Sequence, residues 1–131
     1  MNVRQKNLVT EVPTEEPAVA LEHYKAKLAH ETDCFDVHAT EVLDQRGFVL
    51  VDVRSRALYE AGHLPGALHI PWSSLTEERL SGFAADTLFV VYCAGPHCNG
   101  SVRAAIRIAQ LERPFKEMVG GVTGWATNAF I

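Results

Sequence analysis

Two of the chain's three cysteines fall in one short segment, Tyr92-Cys93-Ala94-Gly95-Pro96-His97-Cys98-Asn99-Gly100-Ser101. It follows the apolar run Thr87-Leu88-Phe89-Val90-Val91-Tyr92 and precedes a helical stretch, so a buried strand delivers Cys93 to a loop from which a helix departs. Gly95 and Gly100 let the backbone curl, and with Ala94, Pro96, His97, Cys98 and Asn99 they form a candidate ligand cradle. Inward-pointing amides and the positive end of a helix stabilise a thiolate and any oxyanion bound to it. The chemistry implied is nucleophilic catalysis, with a lowered thiol pKa replacing a separate base. The competing role for Cys93 is that of a small buried packing residue.

Cys98 has three open roles: a resolving thiol, a sulfur acceptor, or a space-filler. Two cysteines separated by four residues in a curled loop can bring their α-carbons within the ~4.4–6.8 Å that a disulfide requires. A zinc site from Cys93, His97 and Cys98 lacks the usual close ligand pairs, so neither metal nor cofactor is expected. An odd number of cysteines also argues against a disulfide framework.

The elements around this loop are readable from their ends. Strand candidates are Phe35–Val37, Phe48–Val53, Ala67–Ile70, Thr87–Tyr92 and Phe115–Met118. Near-continuous apolar runs suit a parallel sheet buried on both faces, with helices as crossovers. Thr40 to Gly47, Ser55 to Gly62, and Ser73 or Thr76 to Gly82 read as capped helices; Ser101 opens a longer one that Pro114 stops. The class is α/β: a small central parallel five-stranded sheet with helices on both faces. An additional N-terminal helix runs from Thr14-Glu15-Glu16-Pro17 to about Ala29, with Leu21, Tyr24 and Leu28 on one face expected to pack on the domain or a partner.

A length of 131 residues, with 47% hydrophobic and 21% charged residues, fits one globular domain. The expected division is a flexible N-terminus over 1–13, a helix over 14–31 and the domain proper over 32–131. No apolar run reaches the ~20 residues of a membrane span. Neither an apolar segment nor a small-residue cleavage site follows Met1–Asn7, so the cytoplasm is the expected location. A net charge of −4 gives no general attraction to nucleic acid or to an anionic membrane.

The stretch Leu50-Val51-Asp52-Val53-Arg54, then Leu58-Tyr59-Glu60, Gly62-His63-Leu64-Pro65-Gly66-Ala67 and Ile70-Pro71, resembles the N-terminal signature of rhodanese-like domains. Gly120-Gly121-Val122-Thr123-Gly124-Trp125 resembles their C-terminal signature, with Cys93 between the two; the resemblance covers about Thr32 to Asn128. It implies a catalytic cysteine after the fourth strand and transfer of sulfane sulfur through a Cys93 persulfide. The partners implied are a small sulfur donor such as thiosulfate or a persulfide, a thiol acceptor, and a possible protein donor or acceptor. Asp52 and Arg54 are candidates to brace the cysteine loop or form an ordinary structural pair, His63 reads as a turn residue, and Trp125 and Phe130 offer apolar surface to close the domain.

The loop departs from that pattern. It is longer than the six residues of a typical rhodanese and lacks the usual basic residue after the cysteine; Asn99 stands where longer-loop relatives have arginine. In length only, it resembles the loop of cell-cycle phosphatases of the same fold, whose chemistry leans on a forked arginine that Asn99 cannot replace. Arg103 and Arg107 share one face of the next helix, and Arg103 is the candidate to reach the site. The expected activity is sulfur transfer; the alternatives are a delivery or sensing module acting with a protein partner, and a phosphatase or arsenate-reductase-like enzyme.

Overall fold

Strand periodicity sorts the residues around Cys93 onto two faces. In the computed structural model, which describes residues 5–128, Phe89, Val91 and Cys93 join one buried cluster, while Val90 and Tyr92 join the other. The first cluster also takes Val51, Val53 and Ile70 from the sheet and Ala104 and Ile108 from a long helix. The second takes Leu50 and Met118 with Cys34, Val37, Leu64 and Trp125. Each cluster therefore needs its own helical cover.

The chain runs α1 (Leu8–Glu11), α2 (Pro17–His30), β1 (Glu31–Asp33), α3 (Cys34–Ala39), β2 (Val49–Asp52), α4 (Arg56–Ala61), β3 (Leu68–His69), α5 (Glu77–Leu80), β4 (Phe89–Tyr92), α6 (Gly100–Gln110), β5 (Phe115–Val119) and α7 (Gly121–Thr127). The strands form one five-stranded sheet in the order β1-β5-β4-β2-β3, and every pairing is parallel. Val51 pairs with Val91 and Asp52 with Tyr92, so β2 and β4 end level with one another. The chain leaves β2 toward β3 but leaves β4 toward β5. The carboxyl ends of β2 and β4 thus flank a switch in strand order, where open α/β sheets hold ligands.

The caps at Ser55 and Thr76 form as expected, accepting from Leu58 N and Arg79 N, and Gly62 closes α4. Other expectations are corrected. Phe35–Val37 is helical, because the Asp33 side chain accepts from Asp36 N and starts α3; the strand is the polar Glu31–Asp33 instead. Thr40 ends α3 rather than opening a helix to Gly47, and only a 3-10 turn over Thr40–Val42 follows. Helix α2 starts after Glu16 without a side-chain cap, so Thr14 has no capping role. Its Leu21, Tyr24 and Leu28 are 54%, 63% and 75% exposed, so this face does not pack on the domain. Residues Leu8–Glu11 form a helical turn capped by Asn7. Phe130 lies outside the described residues.

Candidate active site

Cys93 follows the last residue of the central strand β4 and is 4% exposed. The strand end is fixed from behind. Arg54 Nη2 donates to Asp52 Oδ2 at 2.7 Å and Nε to Oδ1 at 3.0 Å, a forked ion pair whose carboxylate is fully buried. Arg54 Nη2 also reaches the Gly62 carbonyl at 2.6 Å, which ties β2 to the end of α4. The Tyr92 hydroxyl donates to Asp52 Oδ2 at 2.8 Å and accepts from Leu64 N at 3.1 Å. Burial, with the Asp52 charge beside it, pushes the Tyr92 phenol above its ordinary range, so it stays protonated and keeps donating. Asp52 and Arg54 thus act on Tyr92, the residue before Cys93, rather than on the loop itself.

The loop is clamped from the C-terminal signature. Val122 N donates to the Cys93 carbonyl at 3.1 Å, Thr123 N to the Ala94 carbonyl at 2.9 Å, and Thr123 Oγ1 to that same carbonyl at 3.0 Å. This approach needs glycine. A Cβ on Gly121, where φ is +55°, would collide with the Cys93 carbonyl and stand 2.8 Å from Gly95 N. Gly120, at φ +97°, packs against Cys34 Sγ, and the buried Cys34 thiol donates to the Gly121 carbonyl at 3.4 Å.

A Cβ built on Gly100 would lie 2.8 Å from Cys93 Sγ and 3.5 Å from Cys98 Sγ, so both sulfurs rest on the first residue of α6. Their position is the positive end of an 11-residue helix whose N-cap, Asn99, makes no side-chain capping bond. The two sulfurs are paired as a disulfide, with α-carbons 6.5 Å apart. In this form Gly100 N donates to Cys98 Sγ at 3.4 Å.

The site opens into a cleft of about 170 Å³ whose walls include Cys93, Gly95, Pro96, Cys98, Ser101, Glu117, Gly120 and Gly121. Glu117 is the charged residue of that wall among the described residues, and its carboxylate accepts from Ser101 Oγ. Ser101 lies inside the first turn of α6, which Asn99 precedes, so it is a cleft residue rather than the helix cap. Ala94 turns its carbonyl to Thr123. His97 and Asn99 line a separate, open hollow with Pro96 and Cys98.

Arg103 does not line the cleft. Its Nε donates to Asn99 Oδ1 at 3.2 Å, and its guanidinium lies 5.2 Å from the centre of the Trp72 ring, with that of Arg107 at 5.4 Å. His63 stacks on Tyr59 at 3.8 Å as a turn residue. Glu117, Ser101 and Thr123 were not legible as site residues: a parallel strand brings Glu117 in from outside the loop, and only the double glycine hinted at the clamp.

The family model for the rhodanese-like domain matches residues 38–128. The chain is 42% identical over 77 residues to the HTH-type transcriptional regulator Rv0324 of Mycobacterium tuberculosis. It is 31% identical over 80 residues to the adenylyltransferase and sulfurtransferase UBA4 of Yarrowia lipolytica. These segments are 58% and 61% of the chain but only 33% and 20% of the two relatives. The BH2092 protein of Bacillus halodurans superposes with a TM-score of 0.83 at 34% identity, covering 87% of this chain and 83% of that one.

Proposed function

Because the chain belongs to the rhodanese-like domain family, we propose that Cys93 takes up a sulfane sulfur as a persulfide and hands it to a thiol acceptor. The observation that carries this reading is the position of Cys93 Sγ, at the end of the central strand, against the start of α6 and at the floor of the cleft. The helix end favours negative charge on that sulfur. The Cys93 thiolate attacks the outer sulfur of a persulfide R–S–SH; the bond between the two donor sulfurs breaks and R–S⁻ departs. An acceptor thiolate then attacks the same outer sulfur and Cys93 leaves as thiolate, without net oxidation. Two half-reactions on one cysteine give ping-pong kinetics.

The cleft favours a donor that is uncharged at its reacting end, as R–S–SH is. With Glu117 in the wall and Arg103 drawn to Trp72 and Asn99, no cationic side chain among the described residues lines the cleft to add to the helix end against the two charges of thiosulfate. The same want of a forked cation weighs against phosphoryl chemistry. Among the described residues no helix is long and apolar enough to cross a membrane. The proposed setting is the cytoplasm, where reducing conditions return both cysteines to thiols.

Intact mass after incubation of the reduced chain with glutathione persulfide tests the reading. With Cys98 replaced by serine the protein gains one sulfur, and Cys93→Ser gains none; equal uptake by Cys93→Ser would place the nucleophile elsewhere.

A second reading is a sulfur-responsive module working with a protein partner. The 42% identity to a regulator and the exposed Leu21, Tyr24 and Leu28 of α2 favour it. Deleting the residues before Ala29 would then abolish transfer to the partner while small-donor loading persists.

A further inference from the structure

We propose that Cys98 resolves the Cys93 persulfide, making the chain a sulfane-sulfur reductase that releases sulfide at the expense of a dithiol. The inference rests on the persulfide reading above and adds to it the fate of the sulfur. Three observations carry it. The Cys98 and Cys93 sulfurs are in bonding contact, with an α-carbon separation inside the range that a disulfide needs. Gly100 leaves room for both sulfurs at one helix end, where any side chain would press on Cys93. The two cysteines also differ in access: Cys93 is buried, whereas the partly buried Cys98 lines both the cleft and the open hollow beside Pro96, His97 and Asn99.

Contact between the two Sγ atoms selects the inner sulfur of the persulfide as the point of attack. The Cys98 thiolate bonds to Cys93 Sγ as the bond from Cys93 Sγ to the sulfane sulfur breaks, and hydrosulfide departs with that electron pair and takes a proton from solvent. The sulfane sulfur is reduced by two electrons while the two protein thiols become a disulfide. Hydrosulfide is a good leaving group for such an exchange, and Glu117 in the cleft wall repels the departing anion. A dithiol reductant, protein or small molecule, then attacks Cys98 Sγ from the open hollow. Its second thiol closes the reductant's own disulfide and restores both cysteines. The net reaction converts R–S–SH and a dithiol into R–SH, hydrogen sulfide and a cyclic disulfide, in which atoms and electrons balance.

The test is anaerobic single turnover of the reduced full chain with one equivalent of glutathione persulfide and no added reductant. Free sulfide is measured by a fluorogenic probe, and the protein is alkylated and mapped by peptide mass. The expected result is one sulfide released per chain and a Cys93–Cys98 disulfide that dithiothreitol reverses. In Cys98→Ser and Cys98→Ala the sulfide burst is lost, and the added sulfur stays on Cys93. Folding of both variants is checked by circular dichroism, and agreement between them separates loss of the thiol from a packing defect. A persulfide that persists in the unsubstituted chain, beside an alkylatable Cys98, overturns the resolving role and leaves sulfur transfer standing. Failure of every form to take up sulfur overturns both.

Discussion

The Tyr92 hydroxyl donates to Asp52 Oδ2 across the pair β2 and β4, so the residue before Cys93 is held by a carboxylate that Arg54 already neutralises. Tyr92→Phe leaves Leu64 N without its acceptor and Asp52 with one donor fewer, at a cost of about 1–3 kcal/mol. Asp52→Ala strands a buried guanidinium and costs about 3–5 kcal/mol. Urea unfolding ranks the two variants; equal midpoints would mean that Arg54 finds compensation elsewhere.

Stability falls in alkali. Burial, with Asp33 beside it, raises the Cys34 thiol above its ordinary 9.0, and burial raises Tyr92 above its ordinary 10.0. Above those ordinary values the unfolded chain loses protons that the folded chain retains. Both contributions are therefore complete below about pH 9 and decline as pH rises through the folded values. Denaturant midpoints measured from neutral pH upward check this, and Cys34→Ala and Tyr92→Phe should each flatten the decline. A midpoint that rises between pH 9 and 10 would reverse the sign of the argument.

Two glycines separate folding from chemistry. Gly121→Ala forces a side chain into a positive φ, costing about 1–3 kcal/mol before the collision with the cysteine loop is counted. Gly100→Ala sits in a helix that accepts alanine, so its stability changes by about 1 kcal/mol or less, yet its methyl group presses on Cys93 Sγ. Thermal unfolding should single out Gly121→Ala, whereas persulfide loading should fall in both. Normal loading in Gly100→Ala would show that the sulfurs shift at no cost.

Glu117→Gln tests the charge of the cleft. The amide still accepts from Ser101, so the variant removes charge more than structure. The rate with thiosulfate should rise relative to the rate with glutathione persulfide by about tenfold, the equivalent of about 1.4 kcal/mol. An unchanged ratio would place Glu117 outside the path of the donor.

What the sequence disclosed follows from how local each signal is. The strand into Cys93, the glycines beside it and the caps at Ser55 and Thr76 are contiguous patterns, and the structure contains them. Phe35–Val37 looked like a strand because its apolar residues alternate, but the Asp33 cap commits it to helix. The polar Glu31–Asp33 becomes a strand only by pairing with β5, a partner more than 80 residues away. Short-range spacing made Ser101 the opener of the long helix and Arg103 a candidate for the site; α6 starts one residue earlier, at Gly100, and the Arg103 guanidinium lies beside the Trp72 ring. Glu117 carried no local signal at all.

The clamp on the cysteine loop has a consequence for biosynthesis. The carbonyls of Cys93 and Ala94 are held by amides of Val122 and Thr123, which leave the ribosome 29 residues later. Until α7 has emerged and docked, Cys93 has neither these backbone hydrogen bonds nor the glycine wall of its cleft. A nascent or C-terminally clipped chain would carry these cysteines without the clamp on their loop. Under the proposed function, sulfur uptake would then wait on the docking of α7, and a chain lacking that helix would load no sulfur.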